Sequence, residues 1–401
     1  QNVEIKRVQF QQHPQELTNF NVSVGVTDTF MRAVVTGGPY PLINPRTGIS
    51  VSQLDARQVF QALTQAAWQT GEPGVVFLDT MNVDNPTPHL GPIEATNPCG
   101  EQPLLPHESC TLGSMNLARF VAHTGGQPHI EWPRLRETIH LAVHFLDNVL
   151  DMNRYPLPDI ETITKGNRKI GLGVMGFADL LILLNLSYAS TTALWVGERV
   201  MRFVRREARL ASAALARTRG LFPNYPGSRL ESAGLRLRNA TITTVAPTGT
   251  ISLIADCSAG IEPLYGISVT RRALEDLTLQ SVHPLFLDHL KASGLSPRHV
   301  LSQIAGRESI QGIAALPRSL TRLFVTAHDI DPAQHVRMQA AFQRYSDSGV
   351  SKTINLPFTA TREDVAQAFL LAHRLQCKGL TVYRSGSRPH QVLSCQHLQT
   401  C

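Results

Sequence analysis

Short runs of β-forming residues alternate along this chain with longer segments of helical period, and that alternation limits the fold more than any other feature. Val59, Leu63, Ala66 and Ala67 give a helix over 55–70 one apolar face. Leu135, Ile139, Ala142, Val143, Leu146 and Val149 do the same for a second helix. Further helices are expected over 176–186, over 199–217 with Gly220 as its stop, over 334–345, and over 363–375. Between them stand GVVFL at 74–78, ATITTV at 240–245, and the segments 350–356 and 380–383, all strand-like by content. Residues 17–26 read as a strand end or loop, and 82–106 as loop, being rich in Pro, Asn and Gly. Strands that alternate with helices predict an α/β domain with a largely parallel sheet. The pattern does not separate a barrel from an open sheet.

The chain has 401 residues, 42% of them hydrophobic, enough for one large domain or two to three ordinary ones. A net charge of +6 suits an anionic small-molecule substrate as well as nucleic acid. The local basic cluster over 202–219 reads more simply as the wet face of a helix than as a nucleic-acid stripe. The first residues carry no secretion signal, and the longest apolar run, 180–186, is too short to span a bilayer. A cytoplasmic location with free thiols is therefore expected for the six cysteines. The chain begins at Gln1 rather than Met, so a piece of a longer product is expected.

The most informative segment is Asn97-Pro98-Cys99-Gly100-Glu101. Pro98 and Gly100 put the cysteine on a constrained tip. In an extended loop, residues two apart project to one side, so an amide, a thiol and a carboxylate would converge. Such a trio suits chemistry on a substrate with hydroxyls. A lone cysteine in a Pro/Gly turn is more often a small buried thiol. Cys99 and Cys110 lack a His at ligand spacing beside them, so no metal site is expected.

The run NPCGEQPLLPHESCTLGSMNL at 97–117 resembles the finger-loop signature of ribonucleotide reductases, in the form typical of the class II, adenosylcobalamin-dependent enzymes. The resemblance implies that Cys99 is a thiyl-radical cysteine taking the 3′ hydrogen of a ribose, that Glu101 is the base for the 3′ hydroxyl, that Asn97 holds the ribose hydroxyls, and that Cys110 is one of the redox pair that reduces the 2′ carbon.

A second segment, 244–252, ends a strand and opens what reads as a helix. Successive backbone N–H groups around Gly249, with hydroxyls from Thr248, Thr250 and Ser252, would bind a diphosphate without a Lys. On local sequence alone an ordinary capped turn accounts for it slightly better. APTGTISLIADCSAGIEPLY at 246–265 is similar to the family's substrate-phosphate loop, which places Pro247, Thr248, Gly249, Thr250, Ile251 and Ser252 at the phosphates. Cys257 and Cys377 read as structural thiols. Lys352 and Asn355 fit either a polar cavity or an edge strand.

The segments 323–357 and 377–388 are also similar to class II reductases. Class I large subunits carry two adjacent tyrosines here, whereas Tyr383 stands between Val382 and Arg384, which favours the cobalamin-dependent class. The tail, 385–401, is expected to be mobile, and its Cys395 and Cys401 could exchange with a disulfide at Cys110.

The implied fold is the family's ten-stranded α/β barrel with an inner finger loop, present in part over 17–384, with 1–16 poorly matched. The family's longer N-terminal region, which carries the redox partner and the effector site, is not visible, so a separately encoded N-terminal half is expected. The implied activity is reduction of a ribonucleotide, more naturally a diphosphate, with adenosylcobalamin as radical source and a thioredoxin-like reductant, in a homodimer if complete, with no membrane or nucleic-acid partner. Two alternatives stay open: a fragment that only binds nucleotide phosphates, and a class I large subunit.

Overall fold

The computed structural model describes residues 21–273, 277–387 and 393–394. Strand β1 (Ser23–Val26) is followed, after a short helix (Asp28–Thr36) and an antiparallel hairpin (Pro39–Ile43 with Ser50–Asp55), by helix α1 (Ala56–Thr70), which begins where the Asp55 carboxylate accepts from the backbone N–H groups of Arg57 and Gln58. It stops where Gly71 turns left-handed, and Phe60, Leu63 and Ala67 form its buried face. β2 (Gly74–Phe77) follows, buried throughout as its apolar run requires. A tight hairpin of β3 (Ala95–Thr96) and β4 (Pro103–Leu104) then leads to β5 (Thr111–Asn116). Helix α2 (Trp132–Met152), β6 (Ile170–Met175), α3 (Phe177–Leu183) and α4 (Thr191–Arg219) build the largest core. Ile139, Val143 and Leu146 of α2 meet Val200 and Val204 of α4 over Ile170, Leu172 and Val174. Each such side chain, fully buried, contributes roughly 1.5–3 kcal/mol.

The rest of the chain adds a one-turn helix, α5 (Ile251–Ile254), an antiparallel hairpin of β7 (Ser268–Ala273) and β8 (Leu277–Val282), then α6 (Pro332–Gln343), β9 (Thr353–Leu356), α7 (Arg362–Arg374) and β10 (Gly379–Arg384). A second core joins Phe60 and Leu63 of α1 to Val365 and Phe369 of α7 over Val75, Phe77, Ile354 and Leu356. Cys377 is fully buried there, the core thiol expected of it.

The extended segments form one wall in the order β5, β6, 240–245, 346–356, β10, β2, β1. β5 and β6 run parallel, as do β9 and β10 and also β1 and β2. β10 and β2 are antiparallel, so the expectation of a largely parallel sheet holds within each side of that junction and fails across it. Peripheral hairpins are antiparallel as well. Among the described residues neither β1 nor β5 gains a second partner strand, and the wall is open between them.

The expected strand over 240–245 is extended but not regular. It makes single bridges, Leu172 to Thr243 and Val245 to Val350. The physical reason is a side chain standing in for a neighbouring strand: the Asp347 carboxylate accepts from the N–H groups of Ile242 and Thr243 (3.2 and 3.3 Å). Arg205 and Arg209 of α4 hold that carboxylate in turn (3.4 and 2.9 Å). The basic cluster is thus only partly a wet face.

The tail also differs from expectation. Leu393–Ser394 pairs with β7, so part of it is laid against an edge strand. Cys395 and Cys401 lie outside the described residues. Among the described residues no helix is long and apolar enough to cross a membrane.

Candidate active site

Cys99 stands at the tip of the β3–β4 hairpin. Gly100 N–H donates to the Asn97 carbonyl (3.0 Å), closing a turn with Pro98 inside it, and Asn97 N–H donates to the Gln102 carbonyl (3.0 Å). Gly100 has φ 79°, where a residue with Cβ is strained. The Asn97 side-chain oxygen accepts from Gln102 N–H (3.0 Å) and braces the loop from within. The segment is a closed turn, not the extended loop expected from sequence. Asn97 and Glu101 still meet, close enough for the Asn97 amide to lower the Glu101 carboxyl's pKa.

Cys99 is exposed and Glu101 is buried at 3% exposure. Desolvation by the turn, then the Glu101 charge, raises the Cys99 pKa, so its sulfur is a neutral S–H near pH 7. Burial raises the Glu101 carboxyl too, against the lowering effect of the Asn97 amide. Its Oε2 is buried with no hydrogen-bond partner among the described residues. Cys110, half-buried at the start of β5, is pushed up to about 12 by desolvation and then by Glu101, with Lys169 opposing. The shared influence of Glu101 puts both thiols within its electrostatic reach.

Three contacts that sequence reasoning missed hold this turn. Thr244 Oγ1 donates to the Glu101 carbonyl at 2.8 Å, and Gly349 N–H donates to the same oxygen at 2.8 Å. Asn21 Nδ2 reaches the Pro98 carbonyl at 3.3 Å. Below the hairpin, Lys169 Nζ donates to Glu108 Oε2 at 2.6 Å, both fully buried, and Asn167 Nδ2 donates to Glu108 Oε1 at 2.7 Å. Two glycines of β6 make room for these layers. A Cβ on Gly173 would run into the Thr244 carbonyl, and one on Gly171 would lie 2.7 Å from Gln102 Nε2. Alternating glycines in an apolar strand are the sequence signal that marks such a close approach.

The Gly249 turn follows directly on Thr244. Thr248 takes a left-handed φ of 55°, and its hydroxyl accepts from Gly260 N–H at 2.7 Å. Ser252 is buried, with its Oγ directed at the Gly249 carbonyl (3.4 Å). Neither hydroxyl therefore stands free as expected: that of Ser252 meets the turn's own carbonyl, and that of Thr248 ties the turn to the 260 segment. Gly249, Thr250 and Ile251 are exposed, Pro247 is half-buried, and the helix that follows has four residues.

Beside this turn lies a cavity of about 800 Å³. Cys257 is half-buried and lines it, which corrects the reading of that residue as a buried structural thiol; Asp179 and Asp256 lie near it and, after desolvation, raise its pKa to about 11. Asn355 lines the cavity, as do Thr353, Thr381 and Tyr383. Lys352 is buried and pairs with Glu262 (2.6 Å), so it is no edge-strand solubiliser. Asp179 of this cavity pairs with His283 (2.8 Å) as Glu262 does with Lys352, and the amide and hydroxyl groups of Asn355, Thr353 and Thr381 fit the fringe of a large neutral cofactor.

The family model of the ribonucleotide reductase barrel domain matches residues 2–236 and 230–383. The chain belongs to the ribonucleotide reductase barrel family. A vitamin B12-dependent ribonucleoside-diphosphate reductase of Thermoplasma acidophilum is 48% identical over 96% of this chain and 50% of its own length. One from Mycobacterium tuberculosis is 49% identical over 95% of this chain and 54% of its own. The chain thus spans about half the length of these reductase relatives. The alpha subunit of the class Id ribonucleotide reductase of Actinobacillus ureae shares the fold, with a TM-score of 0.74 at 23% identity over 91% of this chain and 65% of that one. The α/β barrel expected of a ribonucleotide reductase is present, with the wall open at β1 and β5.

Proposed function

We propose that this chain carries the reacting thiol and the phosphate turn of an adenosylcobalamin-dependent ribonucleotide reductase, acting on a ribonucleoside diphosphate. The observation that carries this reading is the single closed turn that presents an exposed neutral S–H at Cys99 beside a carboxyl whose second oxygen is free. Both named relatives are called vitamin B12-dependent ribonucleoside-diphosphate reductases, which supports the cofactor and the substrate class.

The chemistry follows from the protonation states. A thiol held neutral is suited to exchange a hydrogen atom, where a thiolate would act as a nucleophile. When bound, adenosylcobalamin supplies a carbon radical able to take a hydrogen atom from a thiol. Asn355, Thr353 and Tyr383 are the residues of this chain that would hold its amide fringe. Cys99, having lost its hydrogen atom, takes the 3′ hydrogen of the ribose. Glu101 Oε2 receives the proton of the 3′ hydroxyl, and the Asn97 amide orients the ribose hydroxyls. The exposed backbone of 249–251 receives the diphosphate. Cys110 and a second thiol then give one hydrogen to the 2′ carbon and one to its departing hydroxyl, which leaves as water, and their sulfurs join as a disulfide. Glu101 gives its proton back to the 3′ oxygen, and Cys99 returns its hydrogen to the 3′ carbon. The second thiol would come from the part of the relatives that this chain does not match. A thioredoxin-like dithiol, passing through Cys395 and Cys401, would then reduce the resulting disulfide. A homodimer in a cytoplasmic setting completes the reading.

The test is formation of deoxynucleotide from a ribonucleoside diphosphate with adenosylcobalamin and a dithiol, with the unmatched part supplied. Cys99→Ala should abolish it, and retained turnover in that variant rejects the assignment. A second reading, a chain that binds nucleotide phosphates without reducing them, is favoured by the exposed backbone of 249–251, which needs no cysteine to meet a phosphate. Nucleoside diphosphate binding with no turnover under the same conditions would select it.

A further inference from the structure

A groove of about 1020 Å³ runs along α4, and no residue of the cysteine turn lines it. Its α4 wall is the stripe Arg202, Arg205, Arg206, Arg209, Ala213 and Arg217, spaced as one face of a helix. From Arg202 to Arg217 that face is about 22 Å long. Arg236 adds a basic group on the opposite wall. The floor is apolar, and within it Leu210 and Leu235 stand 53% and 38% exposed.

Half of the basic rim is already fixed. Arg205 and Arg209 are held by Asp347, and Arg206 by Glu207 at 2.6 Å, with its guanidinium 5.1 Å from the Phe203 ring centre. Ordering these side chains has therefore been done by the fold, which lowers the entropy cost of a ligand that meets them. Among the described residues Arg202, Arg217 and Arg236 have no ion-pair partner.

We propose that this groove docks an acidic amphipathic helix of a protein partner, its apolar stripe on Leu210 and Leu235 and its carboxylates on the arginine rim. Three features select that occupant. The length matches about four helical turns, beyond the reach of a single nucleotide. Exposed leucines between the arginines have no counterpart on a phosphate backbone. Among the described residues Tyr345 is the sole aromatic lining the groove, which offers no paired platform for stacking bases. The inference is independent of the reading of the cysteine turn.

The experiment is fluorescence anisotropy with the full chain and a labelled peptide of about 15 residues, leucines at helical spacing among glutamates. Arg202→Glu and Leu210→Asp, both at exposed positions, should each weaken binding by about tenfold. Added salt should weaken it further. Unchanged affinity in both variants overturns the proposal. So does binding of an oligoglutamate of equal length, or of single-stranded DNA, that equals the peptide's and is lost in the same variants.

Discussion

The Thr244 hydroxyl donates to the Glu101 carbonyl at 2.8 Å, and so joins the segment that becomes the Gly249 turn to the loop that carries Cys99. The same hydroxyl is 3.1 Å from the Gly349 carbonyl, and Gly349 N–H returns to Glu101. Two segments proposed to hold opposite ends of one substrate are thus fixed to each other by backbone oxygens, in a buried layer. Thr244→Val keeps the shape and removes the donor. It should cost about 1 kcal/mol of stability, read as the shift in a urea midpoint. An unshifted midpoint would show that the hydroxyl does not fasten the loop.

Gly173→Ala tests the same layer from below. Its Cβ would meet the Thr244 carbonyl, and backbone cannot swing aside as a side chain can. Overpacking of this kind costs roughly 1–3 kcal/mol. A drop in melting temperature should appear for Gly173→Ala but not for Ala at Gly249, where open space surrounds the position.

The Lys169–Glu108 pair is buried on both sides, so removing one partner strands a charge. Lys169→Met alone should cost about 3–5 kcal/mol, and Lys169→Met with Glu108→Leu should recover much of it. A double-mutant cycle by denaturant unfolding measures the difference. A loss in the double variant equal to the sum of the Lys169→Met and Glu108→Leu losses would mean that the pair is not coupled.

Thiol chemistry should separate the cysteines by pH. Cys110 and Cys377 are pushed up to about 12, both first by desolvation, and Cys257 to about 11. Iodoacetamide mapped by mass spectrometry should label exposed Cys99 first, with a rate that climbs above the pH of an ordinary free thiol's titration. The sign for stability follows: an unfolded thiol loses its proton near pH 9, while buried Cys377 keeps its own until about 12. The unfolded state then binds fewer protons, so stability is intact below pH 9 and falls between pH 9 and 12. Rapid labelling of Cys377 at neutral pH would contradict its burial.

The sequence by itself determined the elements whose causes are local. The period of Phe60, Leu63 and Ala67, with Asp55 before and Gly71 after, makes α1 wherever it is placed. Pro98 and Gly100 likewise make a tight turn around Cys99. Tertiary structure decided what those elements meet. Thr244 and Glu101 are 143 residues apart, Ile242 and Asp347 105, and Lys169 and Glu108 61. No short-range pattern announces such partners, because a hydroxyl or carboxylate reads the same whether it faces water or a distant backbone. That is why the Thr248 and Ser252 hydroxyls, which look outward-facing in sequence, meet Gly260 N–H and the Gly249 carbonyl instead, and why the irregular segment 240–245 shows only once the Asp347 carboxylate has taken the N–H groups a neighbouring strand would otherwise bond.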